Sequence, residues 1–240
     1  MGVNKLSVSS YQWSVWKRFY CLLFTVYWLL ASCVPSTKPS LKITLVGPFE
    51  GRYRDVGIEV IYAARLAIRE ANVQGGVGGY TVELMGFDDG GDPDQAMMQA
   101  KKVATDSQVV AAVGNWLPST TQAAAAVYDR VGIPFVAISE PLSLTSPLDP
   151  SFVDRYKKIS QGVEPKFLAA MAYDATKIIL SAIERDVKAN GKPTRLGVAA
   201  ALAQTDTNGL SGRITFDAKQ NSDEGKRWVY KWEEGKIKRP

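Results

Sequence analysis

Apolar and polar positions follow two alternating rhythms along residues 41–138. Residues 41–46 are a short apolar run stopped by Gly47-Pro48, the pattern of a strand. Between 56 and 72 the apolar positions include Val60, Ala63, Ala64, Ala67, Ile68 and Ala71, the spacing of one helix face. Residues 80–87 alternate as a strand does, and 109–113 and 133–138 are further apolar runs. Helical patterns separate them, one from Asp92 to about Asp106 and one from Ser119 to Val131. Asp92-Pro93 supplies a capping carboxylate and a proline suited to a first turn. Strand and helix alternating through short loops predict an α/β architecture, a doubly wound, mostly parallel sheet with helices on both faces.

Gly75-Gly76-Val77-Gly78-Gly79 has the composition of a phosphate loop but not its place. Glycines that cradle phosphate follow a strand and open a helix. These follow a helix and precede a strand, so they read as a helix stop and a tight turn. Beyond 138 the rhythm breaks. Residues 140–150 hold three prolines and several serines and read as a loop; 152–159 reads as a short helix and 165–187 as a long one, with Phe167, Leu168, Met171, Ala175, Ile178, Ile179, Ala182 and Ile183 on its buried side. Thr194 is placed to cap a helix through Ala203, 209–216 reads as a turn and strand, and 228–238 as a terminal hairpin turning at Glu234-Gly235.

The N-terminal segment differs in kind. An apolar run, 19–30, follows Lys5, Lys17 and Arg18, and no acidic residue precedes Glu50. A basic start, about a dozen apolar residues and then small residues form the pattern of a secretory signal peptide, and the run is short for a span of about 20 residues. Leu30-Ala31-Ser32-Cys33 resembles the lipobox of bacterial lipoproteins, which implies a lipid on Cys33 and an anchored, extracytoplasmic protein. The expected organisation is a signal peptide over 1–33, a Pro/Ser-containing tether over 34–40, an α/β lobe over 41–222 (41–140 joined to 150–222), and the terminal hairpin over 223–240.

Composition narrows the chemistry. The chain has 29 Lys and Arg against 24 Asp and Glu. Three of the basic residues precede Cys33, so the remainder is nearly neutral, and nucleic acid is not an expected partner. There is no histidine, and the two cysteines are Cys21, in the apolar run, and Cys33. Ser-His-Asp chemistry is therefore excluded and a zinc site is not expected. No cofactor and no metal are expected, and the chain does not read as an enzyme. The carboxylates available to a hydrolase would be Asp88, Asp89 and Asp92, and Asp92 is better explained as a helix cap.

In an open parallel sheet, ligands sit beyond the carboxyl ends of the strands. Those positions here are 48–53, 88–92, 115–121 and 139–143. Ser119, Thr120 and Thr121 open a helix, whose first N–H groups and dipole suit a carboxylate. Ser119 with Gln122 also has the spacing of a capping box, so Ser119 is either a ligand contact or a cap. Trp116 either packs on an apolar ligand group or covers its loop. Glu140 either accepts an ammonium group, with Ser139 beside it, or is a solvated carboxylate. Tyr53 ends the first of these loops.

Several stretches together resemble the first lobe of the type I periplasmic binding proteins of ABC transporters, of the branched-chain amino acid-binding kind. They are Ile43-Thr-Leu-Val-Gly-Pro-Phe-Glu-Gly51, 57–72 with the 75–79 glycines, Asp88-Asp89 with Asp92-Pro-Asp-Gln-Ala96, and Val113-Gly114 with Ser119-Thr-Thr-Gln122. Glu164-Pro165 through Ala172-Tyr-Asp-Ala175, Gly209-Leu-Ser-Gly-Arg-Ile-Thr-Phe-Asp217 and the tryptophan-rich ending resemble the family's C-terminal third. The resemblance implies a lipid-anchored substrate-binding protein that hands a small amino acid or amide to ABC permease subunits; the crevice positions make Tyr53, Trp116, Ser119, Thr120, Ser139 and Glu140 the candidate ligand-contacting set. Two departures stand out. Family members close two lobes on the ligand, and a second lobe needs over 100 residues at about 30 per βαβ unit; no such stretch lies between 138 and 149, and the hairpin over 223–240, which would normally pair in that lobe, is what is left of it. Pro118 stands where amino acid-binding members have a ligand-contacting serine. The implied protein is thus a single lobe with weak binding; the alternative is a surface interaction module or a deletion product without transport activity.

Overall fold

A computed structural model of the chain describes residues 38–138, 147–216, 229–233 and 236–238. Three βα units and a fourth strand come first: β1 (Ser40–Gly47), α1 (Arg54–Val73), β2 (Thr81–Asp88), α2 (Pro93–Thr105), β3 (Val109–Gly114), α3 (Pro118–Val131) and β4 (Phe135–Ile138). Then come α4 (Pro150–Ile159), α5 (Phe167–Asn190), α6 (Arg195–Leu202) and four strands, β5 (Asp206–Gly209), β6 (Gly212–Phe216), β7 (Val229–Glu233) and β8 (Lys236–Lys238). All eight strands share one sheet in the order β2-β1-β3-β4-β7-β8-β6-β5. The pairs from β2 through β7 are parallel; β7–β8 and β6–β5 are antiparallel, and β6–β8 is parallel. The fold is therefore α/β and doubly wound, as the alternation predicts. The described residues from 39 onward form one compact unit.

The core shows why these strands are apolar along their whole length. In β3 all six residues are buried, because a parallel sheet covered on both faces leaves no solvent side. The residues of β3 are shared between two layers, with a register shift against β1 between Val109 and Ala111. Ala111 and Val113 join Ile43, Leu45, Val136 and Ile138 under α1 and α5, whereas Val109 and Ala112 join Phe135 and Ala137 under α2 and α3. The helix faces match: Val60, Ala64 and Ala67 of α1 and Met171, Ile179 and Ile183 of α5 on one side, Ala100, Val103, Ala124 and Tyr128 on the other.

Local signals explain the element ends. Asp92 accepts from Gln95 N at 2.8 Å with Pro93 in the first turn, and Thr194 accepts from Gly197 N at 2.9 Å. The glycine cluster closes α1: Gly76 N donates to Ala71 O, and Val77 bridges to Tyr80. The start of α5 is capped from outside its own sequence. Glu59 of α1 accepts from Lys166 N at 3.1 Å and Ala169 N at 2.9 Å.

Three features differ from the sequence reading. α3 begins at Pro118 with Leu117 as its N-cap and no side-chain cap, so Ser119 lies in the first turn and is not the cap; proline at the first helical position sets the start one residue earlier. Asp206–Gly209 is a strand, β5, although Asp, Asn and Gly disfavour strands; the two-residue turn at Leu210-Ser211 pairs it with β6. The terminal hairpin pairs β7 with β8, and β7 lies parallel to β4 in the same sheet, whereas the family resemblance would place it in a second lobe. The signal segment, the 34–37 part of the tether and the 139–146 loop lie outside the described residues.

Candidate functional site

The strand order reverses between β1 and β3, so the loops after these two strands diverge to opposite faces and leave a crevice at their carboxyl ends. The loop after β1 contains a 3-10 turn, Gly51–Tyr53. The loop after β3 is short, running from Gly114 to Pro118. Both are tied to the loop after β2 by polar side chains. Asp88 accepts from Phe49 N at 2.7 Å and Gly90 N at 2.9 Å. Asp89, fully buried, accepts from Gly91 N at 2.9 Å and from Asn115 Nδ2 at 2.8 Å, while its own N–H donates to Gly47 O. Burial pushes the Asp89 carboxyl above its ordinary range against these favourable hydrogen bonds. With Asp92 serving as a cap, the three carboxylates of this edge all hold backbone in place.

Asn115 is the residue the pattern-based reading missed. Its φ of 47° puts it in the left-handed region, which asparagine tolerates better than most residues. Its N–H donates to Val46 O, its carbonyl accepts from the Thr121 hydroxyl, and its side chain reaches Asp89. An Asn directly after an apolar strand and a Gly is the signal that was available. Gly114 beside it has φ 127°, and a Cβ there would sit 2.0 Å from Val46 O.

The candidate ligand residues have distinct placements. Trp116 is 6% exposed and packs over Gly47, where a Cβ would come 2.7 Å from its Nε1. The indole thus covers the reversal point, and its Nε1–H finds no acceptor among the described residues. Ser119 is exposed at the first turn of α3 and engages no cap. Thr120 is fully buried, and its hydroxyl donates to Leu117 O at 3.0 Å, so its side chain is engaged within the turn. Tyr53 is half-buried and packs against Gly91, close to Leu117. The structure therefore gathers Tyr53, Trp116, Ser119 and Thr120 around the carboxyl edge of β1 and β3. Ser139 and Glu140, like Cys33, lie outside the described residues. The first-turn N–H groups of α3 have no acceptor within the helix and carry its positive dipole end, which suits an anionic oxygen. Among the described residues no cluster of three or more metal-ligating side chains occurs, and no helix is long and apolar enough to cross a membrane.

Comparison with known proteins agrees with the fold. A family model described as periplasmic binding protein matches residues 40–150 and 139–236. The Leu/Ile/Val-binding protein of Escherichia coli (strain K12) is 30% identical over 111 residues, 44% of this chain and 30% of that protein. The chain thus spans less than a third of the length of such curated relatives. A branched-chain amino acid transporter substrate binding protein from Streptococcus pneumoniae, solved in complex with isoleucine, shares the fold at a TM-score of 0.66 and 15% identity, covering 83% of this chain and 94% of that one. A solute binding protein from Rhodopseudomonas palustris BisB5, in complex with 3,4-dihydroxy benzoic acid, does so at 0.65 and 12%, covering 82% and 95%.

Proposed function

This chain belongs to the periplasmic binding protein family, and from that premise we propose that it is a lipid-anchored, extracytoplasmic substrate-binding component of an ABC importer for branched-chain amino acids or similar small amino acids and amides. The observation that carries the reading is the open first turn of α3, with Ser119 exposed and uncapped beside the strand-order reversal. In this reading the ligand carboxylate lies against the N–H groups of Ser119 and Thr120 and the Ser119 hydroxyl. Its apolar side chain lies toward Trp116 and Tyr53, and Ser139 and Glu140 take the ammonium group. Cys33 carries the lipid, and the permease subunits receive the ligand. With a single lobe, one wall of the site is solvent, so affinity falls well below that of a closed clamshell.

Isothermal titration of the chain with leucine, valine and the corresponding amides tests this. The expected result is weak binding, with the free carboxylate preferred over the amide. Submicromolar affinity would overturn the single-wall argument, and equal binding of acid and amide would overturn the carboxylate assignment. Intact-mass analysis of membrane-extracted protein tests the anchor: a lipid adduct lost on Cys33→Ala supports it, and an unmodified mature N-terminus overturns it.

A further inference from the structure

Away from the crevice, a groove of about 460 Å³ runs between α5 and β5. Its helix wall includes Tyr173, Lys177, Ser181 and Arg185, positions four apart that form one stripe along about 18 Å of helix. Its other wall is Thr205 through Gly209, every residue in succession. One face of a strand presents only alternate residues, so an unbroken succession means that the groove follows the strand's edge. The topology agrees: among the described residues β5 ends the sheet and pairs only with β6. The hairpin closes on the Gly209–Gly212 pair over a two-residue turn, which makes that pair hydrogen-bonded and turns the N–H and C=O of Asn208 outward.

Helix and strand are fixed at both ends of the groove. Arg185 Nη2 donates to Thr205 Oγ1 at 3.1 Å, and Asp174 accepts from Leu210 N at 3.0 Å and Ser211 N at 2.8 Å. The floor is apolar, made by Ile178 and Ile214, both nearly fully buried. The charge is one-sided. Asp174 is occupied by the turn, and Asp206 is held by Arg213 through two hydrogen bonds of 2.9 and 2.8 Å. Arg185 donates to neutral acceptors, Ala201 O and the Thr205 hydroxyl, and Lys177 has no carboxylate partner among the described residues.

We propose that this groove receives an extended segment of a partner polypeptide, added as a further strand on β5. Its acidic side chains face Lys177 and Arg185, and an apolar side chain between them lies over Ile178 and Ile214. Backbone pairing to an open strand edge supplies the register and alternate side chains supply the selectivity. The inference goes beyond the ligand reading and stands independently of it.

The test is calorimetric titration of the full chain, in mild detergent, with a blocked Glu-Ser-Val-Ser-Glu peptide, which sets acid, apolar and acid side chains on one face of a strand, and its Lys-Ser-Val-Ser-Lys counterpart. One-to-one binding of the acidic peptide alone is expected, weakening as salt rises. Lys177→Glu, a change at a half-buried position that takes no part in the hairpin bonds, is expected to weaken it about tenfold. Asn208→Pro, which removes an outward N–H and spares the β5–β6 ladder, is expected to abolish it, and amide exchange at 206–209 is expected to slow when peptide is bound. Failure of the acidic peptide to bind, equal binding of the lysine peptide, or displacement by inorganic phosphate would each overturn the proposal. Undiminished binding by Asn208→Pro would overturn strand addition specifically.

Discussion

Asn115 Nδ2 lies 2.8 Å from Asp89 Oδ2, joining the loops after β3 and β2 across the end of β1, the strand that separates them. Both residues are fully buried. The contact therefore clamps three strand ends that would otherwise be connected only through their ladders. Asn115→Ala removes the donor from a buried carboxylate and places alanine at a φ of 47°. The expected loss is about 3 kcal/mol in urea unfolding. Asn115→Gly relieves the backbone and should lose less. Asn115→Asp sets two carboxylates together and should lose more than the alanine variant.

Glycines at the same edge differ in what a methyl group would strike. At Gly47 it would meet the indole of Trp116, 2.7 Å from Nε1; at Gly114 it would meet Val46 O at 2.0 Å, on a backbone with φ 127°. A side chain can turn away, but a carbonyl in a parallel ladder cannot. Gly114→Ala is therefore expected to prevent stable folding or to cost upward of about 4 kcal/mol. Gly47→Ala should cost about 1–3 kcal/mol and move the Trp116 ring. Thermal melts of both variants give the order directly.

The remote cap on α5 is a third point of dependence. Glu59 accepts from Lys166 N and Ala169 N across more than a hundred residues of sequence, and Tyr156 donates to the Glu59 carbonyl at 2.9 Å. Glu59→Ala leaves first-turn N–H groups of α5 unpaired and is expected to cost about 2 kcal/mol. Glu59→Gln keeps one acceptor oxygen and should recover part of that loss. Amide exchange at Lys166 and Ala169 should accelerate in the alanine variant before the rest of α5 does.

Stability should also depend on pH in an unusual direction. Burial raises the Asp89, Glu59 and Asp174 carboxyls above their ordinary values. A raised folded value means that protonation favours the folded state. The contribution is complete below the unfolded carboxylate value and is lost as pH rises through the folded one. Lys42 beside Asp106 lowers that carboxyl, so its contribution is lost only as pH falls through its lowered value. With no histidine in the chain, side-chain titration between mild acid and neutrality comes chiefly from the raised carboxylates. The melting temperature should therefore be higher in mild acid than at neutral pH, with the fall on the alkaline side reduced in Asp174→Asn. A midpoint that climbs steadily from mild acid to neutrality would contradict this.

Much of this fold was legible because its signals were local. The period of apolar residues located β1 through β4 and their helices, and Asp92, Thr194 and the 75–79 glycines marked ends through contacts a few residues away. What the sequence withheld was non-local. β5 is a strand because β6 and the turn at Leu210-Ser211 hold it, against the preference of Asp206, Asn208 and Gly209. Asp174, buried inside a helix, serves that same turn, and Asp186 serves Thr194 at 2.7 Å. At the site, the sequence named Ser119 and Thr120 but not that Pro118 takes the first helical position, which turns Ser119 outward and the Thr120 hydroxyl toward Leu117. Asn115 escaped because its role depends on Asp89, brought beside it by strand order alone.

Ser119 supplies a prediction that separates capping from ligand contact. A serine that caps a helix loses about 1 kcal/mol of stability when replaced by alanine. Ser119 is exposed, sits after the proline of the first turn, and caps nothing. Ser119→Ala should therefore leave the unfolding free energy within about 0.5 kcal/mol of the original. If its hydroxyl meets the ligand carboxylate, the same change should weaken leucine binding about tenfold, the value of one charge-assisted hydrogen bond. Thr120→Ser removes only a buried methyl group and keeps the hydroxyl, so it should do the reverse, lowering stability modestly and leaving affinity alone. Paired melts and titrations of the two variants resolve the assignment: lost stability without lost affinity in Ser119→Ala would make Ser119 structural and remove it from the ligand site.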